Sequence, residues 1–165
     1  MKKIQMVDLQ SQYYKIKPEV DNAIAGVMNS AAFINGPEVK SFQKELEDYL
    51  DVPHVIPCAN GTDALQIALM ALDLEEGDEV ITADFTFAAT VEVVHLLKLK
   101  AVLVDVDADT FTMNIDRLKA AITDKTKAFL VESIGNPNAT LVDLEKISEI
   151  AHKYGIPVIV DNTFA

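Results

Sequence analysis

The chain has 165 residues, enough for one domain with a buried core; half of them are hydrophobic and 24% are charged, the balance of an ordinary soluble globular protein. A formal net charge of −12 disfavours nucleic acid and anionic membranes as partners, since both ask for a basic face. Cys58 is the only cysteine, which leaves neither a disulfide framework nor a zinc pattern, and His54, His95 and His152 are scattered without ligand spacing. The opening run, Met1 to Asp8, has no apolar signal core, and no apolar stretch is long enough to span a bilayer. A cytoplasmic, reducing location is the resulting expectation.

In chain order, residues 1–17 read as an irregular arm. Lys17-Pro18-Glu19 starts a helix, with proline in the first turn where its missing N–H costs little. That helix carries Val20, Ile24 and Val27 on one face and fades near Asn29-Ser30. Gly36-Pro37-Glu38 opens a second helix, with Phe42, Leu46 and Leu50 at helical spacing. From residue 54 short apolar runs alternate with helical ones. Strands are expected at His54–Cys58, Glu79–Thr82, Ala101–Val106, Ala128–Glu132 and Pro157–Val160. Helices are expected at Thr62–Leu72, Phe87–Leu97, Ile115–Ile122 and Leu144–Tyr154. Runs such as Val102-Leu103-Val104 are continuously apolar, as when helices cover both faces of a sheet. The expected fold is α/β: a doubly wound, mostly parallel five-stranded sheet with helices on both faces. A helical N-terminal arm at 1–52 would join the unit at 53–165.

In such a sheet, ligands bind beyond the carboxyl ends of the strands. Three of these ends carry polar or small residues. In Asn60-Gly61-Thr62-Asp63 a strand runs into a helix start, whose free N–H groups and the Thr62 hydroxyl suit a phosphate. A well-capped turn would read the same way, and the pattern is neither a Walker loop nor a Rossmann glycine fingerprint. In Asp84-Phe85-Thr86-Phe87 one aromatic could stack on a flat ring, while Phe85 reads as core. Asp161 ends a buried strand; it needs a partner there, either a cationic ring nitrogen or a nearby backbone that it caps.

Together these stretches resemble the fold-type-I pyridoxal-phosphate (PLP) enzymes. Residues 5–125 are similar to the DegT-type sugar aminotransferases through Phe33-Ile34-Asn35-Gly36-Pro37-Glu38-Val39, Asn60-Gly61-Thr62-Asp63-Ala64-Leu65, Gly77-Asp78-Glu79-Val80-Ile81-Thr82 and Phe85-Thr86-Phe87-Ala88-Ala89-Thr90. Residues 127–165 look instead like the Cys/Met-metabolism PLP enzymes, through Glu132-Ser133-Ile134-Gly135-Asn136-Pro137 and the run Ile156 to Ala165. A sugar aminotransferase would show an Asp-Ala-Ala-Gln-like run at Asp161. The double resemblance suggests an engineered chimera or a fragment, with a lyase or sulfhydrylase fragment as a further alternative.

By position, the resemblance implies that Gly61, Thr62 and Asp63 hold the cofactor phosphate, mainly through backbone N–H. It implies that Phe87 stacks on the pyridine ring, Asn136 reaches its phenolic oxygen, Asp161 pairs with its nitrogen and Thr163 lies beside it. The Schiff-base lysine has no match in these residues, so the chain is expected to be inactive alone. Lys44 reads as a solvated helix residue. The resemblance further implies an amino donor, a keto sugar and a homodimer as partners. In the family two more strands lie between the first and the fifth of this chain. Without them the first strand would pair with the fifth, giving the order 3-2-4-5-1. A nucleotide- or flavin-binding domain of another kind is disfavoured by the missing glycine fingerprint.

Overall fold

The computed structural model describes residues 6–135 and 138–164. The chain divides into two units, Met1–Pro57 and Cys58–Ala165.

In the first unit, helix α1 spans Leu9–Ser30 and α2 spans Pro37–Leu50. Much of the stretch expected to be irregular is therefore helical. The signal is Asp8, whose carboxylate accepts the Ser11 N–H at 3.0 Å and the Ser11 hydroxyl at 2.7 Å, capping the helix start. Pro18 falls inside α1 rather than at its beginning. It cannot donate to the carbonyl one turn back, an interruption that usually ends or kinks a helix. Here side chains bridge that turn. Lys17 pairs with Asp21, the Tyr13 hydroxyl donates to Asp21 at 2.6 Å, and Lys17 Nζ donates to the Tyr13 oxygen at 2.9 Å. Gly36 caps α2 just ahead of Pro37. A Cβ on Gly36 would lie 2.2 Å from the Ala32 carbonyl oxygen, so only glycine fits there. Gly36 is also the one buried position among the described residues of this unit.

The second unit holds α3 (Gly61–Met70), β1 (Glu79–Ala83), α4 (Ala88–Leu96), β2 (Lys100–Val104), α5 (Ile115–Ala121), β3 (Thr126–Glu132), α6 (Leu144–Lys153) and β4 (Val158–Asp161). The strands form one parallel sheet in the order β2-β1-β3-β4. Alternation along β1 and β3 sorts their side chains onto two faces. Ile81, Phe129 and Val131 pack with Leu118 of α5 and Ile147 and Ile150 of α6. Val80, Ala128 and Leu130 pack with Leu65 and Leu69 of α3 and Val93 and Val94 of α4. Helices thus cover both faces, and the continuously apolar strands follow from that.

The expected fifth strand is absent among the described residues: His54–Cys58 makes no ladder and the sheet has four strands. The expected pairing of that segment with β4 is therefore corrected. Pro53 precedes it and Pro57 lies within it, and neither can donate to a ladder. The rest of the expected order, 3-2-4-5, is the observed one. β1 is central; the chain leaves it for β2 on one side and returns to β3 on the other. That reversal opens a crevice at the carboxyl ends of β1 and β3. Among the described residues no helix is long and apolar enough to cross a membrane.

Candidate functional site

A cavity of about 310 Å³ lies at this carboxyl edge. It sits at the lower end of ligand-pocket volumes, roughly 300–1,000 Å³. Its lining includes Gly61 and Thr62 from the start of α3, Phe87 ahead of α4, Glu132 from the end of β3, and Asp161 and Thr163 from the end of β4.

The α3 start is built by Asn60. Its side-chain oxygen accepts the Asp63 N–H at 2.9 Å, and its amide donates to the Asp63 carboxylate at 3.1 Å. The Ala64 N–H returns to the Asn60 carbonyl at 3.1 Å. Among the described residues the N–H groups of Gly61 and Thr62 have no acceptor, so the positive end of α3 is left open at the cavity. A Cβ added to Gly61 would meet no protein atom within 4 Å.

Opposite in character is Asp161. Its Oδ1 accepts the Thr163 N–H at 3.1 Å and the Thr163 hydroxyl at 2.5 Å. Its Oδ2 accepts no hydrogen bond among the described residues. Thr163 thus fixes the carboxylate and leaves one oxygen available. Glu132 is Asp161's partner in the β3–β4 register. Its Oε1 accepts the Thr86 hydroxyl at 2.8 Å and the Phe87 N–H at 3.3 Å. No lysine, arginine or histidine lines the cavity among the described residues. Nor does any group of three His, Cys, Asp or Glu residues there suit a metal ion.

Of the residues singled out from sequence, the cavity brings together Gly61, Thr62, Phe87, Asp161 and Thr163. Asp63 does not line it, and its N–H is held by the Asn60 cap. Asn136 lies outside the described residues. Phe85 is half exposed rather than core, its ring packed on Phe111 at 5.4 Å between centroids. Sequence reasoning assigned no role to Glu132. The signal was present, because Glu132 ends an apolar strand just as Asp161 does.

An open parallel sheet covered by helices on both faces, with a free helix start and a fixed carboxylate sharing one cavity at its carboxyl edge, defines an α/β domain of the doubly wound class. The model of the DegT/DnrJ/EryC1/StrS aminotransferase family matches residues 14–165, and the chain belongs to that family. It is 46% identical to the UDP-2-acetamido-2-deoxy-3-oxo-D-glucuronate aminotransferase of Pseudomonas aeruginosa, over 96% of this chain and 43% of that protein. The crystal structure of a DegT/DnrJ/EryC1/StrS aminotransferase from Brucella abortus matches with a TM-score of 0.87 at 39% identity, over 96% of this chain and 44% of that one. NtdA from Bacillus subtilis, solved with bound cofactor PMP, matches with a TM-score of 0.87 at 30% identity, over 97% of this chain and 36% of that one. The chain spans less than half the length of these relatives. The family match runs through residues 127–165, the stretch likened above to the Cys/Met-metabolism enzymes. Neither a chimeric origin nor a lyase or sulfhydrylase origin has support.

Proposed function

We propose that these residues form the cofactor cradle of a PLP-dependent aminotransferase acting on a keto sugar carried by a nucleotide, with an amino acid as donor. The substrate class rests on the Pseudomonas relative, whose name specifies a UDP-linked 3-oxo sugar. The observation that carries the cofactor reading is the polarity of the cavity. Unused N–H groups at Gly61 and Thr62 and a carboxylate at Asp161 with one open oxygen share a single cavity. A phosphate suits the helix start, where donors and the helix dipole both favour an anion. A protonated ring nitrogen suits the carboxylate. The residues present therefore fit a ligand that is anionic at one end and cationic in its ring.

When bound, PLP supplies an electron sink for chemistry next to an amino group. The chain's own part in this is to hold and orient. Gly61 and Thr62 donate backbone N–H to the phosphate, and the Asn60 cap keeps that helix start in shape. Asp161 takes the ring nitrogen's hydrogen bond and favours its protonated form, while Thr163 holds the carboxylate in place. Phe87 offers its ring face to the pyridine. Asn136 is assigned to the phenolic oxygen by resemblance. A homodimer is the assembly we propose.

The test is a titration of the purified chain with PLP, followed by its visible spectrum and then by borohydride reduction and intact mass. Saturable binding that Asp161→Ala weakens supports the cradle. Absence of binding to the wild type overturns it. A mass adduct after reduction identifies a lysine of this chain that reaches the cofactor.

A further inference from the structure

Helix α4 begins without help from its own residues. Phe87 stands at its N-cap with no side-chain acceptor to offer, and the first turn of α4 contains no acidic residue. A helix start of this kind leaves N–H donors without partners. The missing acceptor arrives from another strand. Glu132, separated from Phe87 by 45 positions, accepts the Phe87 N–H at 3.3 Å. The same oxygen accepts the Thr86 hydroxyl at 2.8 Å, and Thr86 Oγ1 lies 3.3 Å from Thr90 Oγ1, which is fully buried in α4.

We propose that Glu132 is a positioning residue, a latch from β3 that holds the β1–α4 loop so that Phe87 turns its ring toward the cavity. The inference rests on the reading of Phe87 as the stacking aromatic. The geometry behind it is independent of any ligand. Phe87 is 60% exposed, so packing alone does not fix it. Its backbone is held on one side by α4 and on the other by a carboxylate rooted in β3, where Phe129 and Leu130 are fully buried. A charged acceptor at a helix N-terminus gains from both the hydrogen bond and the helix dipole. The β3–β4 register then sets Glu132 beside Asp161. The group that faces the ring and the group that meets its nitrogen are thereby tied to neighbouring positions of two paired strands. A change in either strand end would disturb both.

Two measurements on the whole chain test this. The first needs no cofactor: amide hydrogen exchange at Phe87, followed by NMR. Glu132→Ala is expected to speed exchange at Phe87 by roughly ten-fold, the scale of a charge-assisted hydrogen bond, while Glu132→Gln keeps an acceptor and restores most of the protection. Unchanged exchange in Glu132→Ala would overturn the latch. The second is a double-mutant cycle on PLP affinity with Glu132→Ala and Phe87→Ala. If Glu132 acts through Phe87, its substitution weakens PLP in the wild-type background and adds little once Phe87 is gone. Equal losses in both backgrounds would overturn the positioning role and make Glu132 a direct ligand contact. Should the wild type bind no PLP, the cofactor reading fails, and the exchange measurement still decides the latch.

Discussion

At the amino end of the sheet, Glu79 is 5% exposed and fully engaged. Lys100 Nζ donates to one of its oxygens at 2.8 Å and the Thr123 hydroxyl to the other at 2.6 Å. The pairing of β1 with β3 slips by one residue at this point, Glu79 facing Thr126 and Val80 facing Ala128. At the carboxyl end, Asp161 and Glu132 stand at a cavity that no basic side chain lines among the described residues. Each accepts a hydroxyl and a backbone N–H, and one Asp161 oxygen accepts no hydrogen bond among the described residues. One end of the sheet neutralises its acid within the fold. The other keeps Asp161 oriented with one oxygen that accepts no hydrogen bond among the described residues, an arrangement that suits a ligand better than it suits stability.

Replacing the saturated acid should have the largest effect on folding. Glu79→Ala strands the Thr123 hydroxyl and removes the partner of Lys100. We expect a loss of about 2 kcal/mol, less than the 3–5 typical of a fully buried pair, because Lys100 keeps most of its hydration. A shift of the urea midpoint at constant m-value checks it; PLP affinity per folded molecule should not change. Asp161→Asn should do the reverse. It should weaken PLP about ten-fold or more, the scale of a charged hydrogen bond, and move the urea midpoint by less than about 1 kcal/mol. If Asp161→Asn instead unfolds the chain, the contrast between the two ends collapses.

A pH series sharpens the same comparison. The Lys100 bond first, and the Thr123 bond second, hold the Glu79 carboxyl below its ordinary value. A carboxylate depressed in the folded state contributes stability that is present above its unfolded pKa, about 4.3, and is lost as the pH falls through the lower folded value. Acid unfolding of the wild type should therefore steepen below that pH, and Glu79→Gln should flatten the limb. The smallest effect is expected for Gly61→Ala. Its φ is unexceptional and its Cβ would meet no protein atom, so stability should hold or rise by about 0.4–1 kcal/mol. The methyl would narrow the cavity at the helix start, and a modest loss of PLP or inorganic phosphate affinity is the expected readout.

Much of the second unit was legible in the sequence. Apolar runs at strand length and amphipathic runs between them set the strands and helices seen among the described residues of the Cys58–Ala165 unit to within a few residues. The rule that ligands meet strand ends in a parallel sheet pointed to Gly61, Thr62, Phe87 and Asp161. What escaped depends on partners distant in sequence or on local polar chemistry outweighing pattern. His54–Cys58 has a strand's hydrophobicity, yet Pro53 just before it and Pro57 within it work against a ladder. Pro18 marked a helix start only because the bridge from Tyr13 and Lys17 to Asp21 could not be foreseen. Glu132 becomes meaningful only once β3 and the β1–α4 loop are brought together, a contact spanning 45 positions.

The cavity's lining is drawn from four separate stretches, the α3 start, the β1–α4 loop, the end of β3 and the end of β4. In the sheet order, β1 meets β3 only after the chain has gone out to β2 and come back. Pairings of this kind close long loops and are slow to form. No early intermediate with only local helices or a single strand pair would own the cavity. During refolding, ligand capture should therefore trail helix formation and coincide with the last strand docking. A bound cofactor could stabilise only the finished sheet, by mass action on the native state alone.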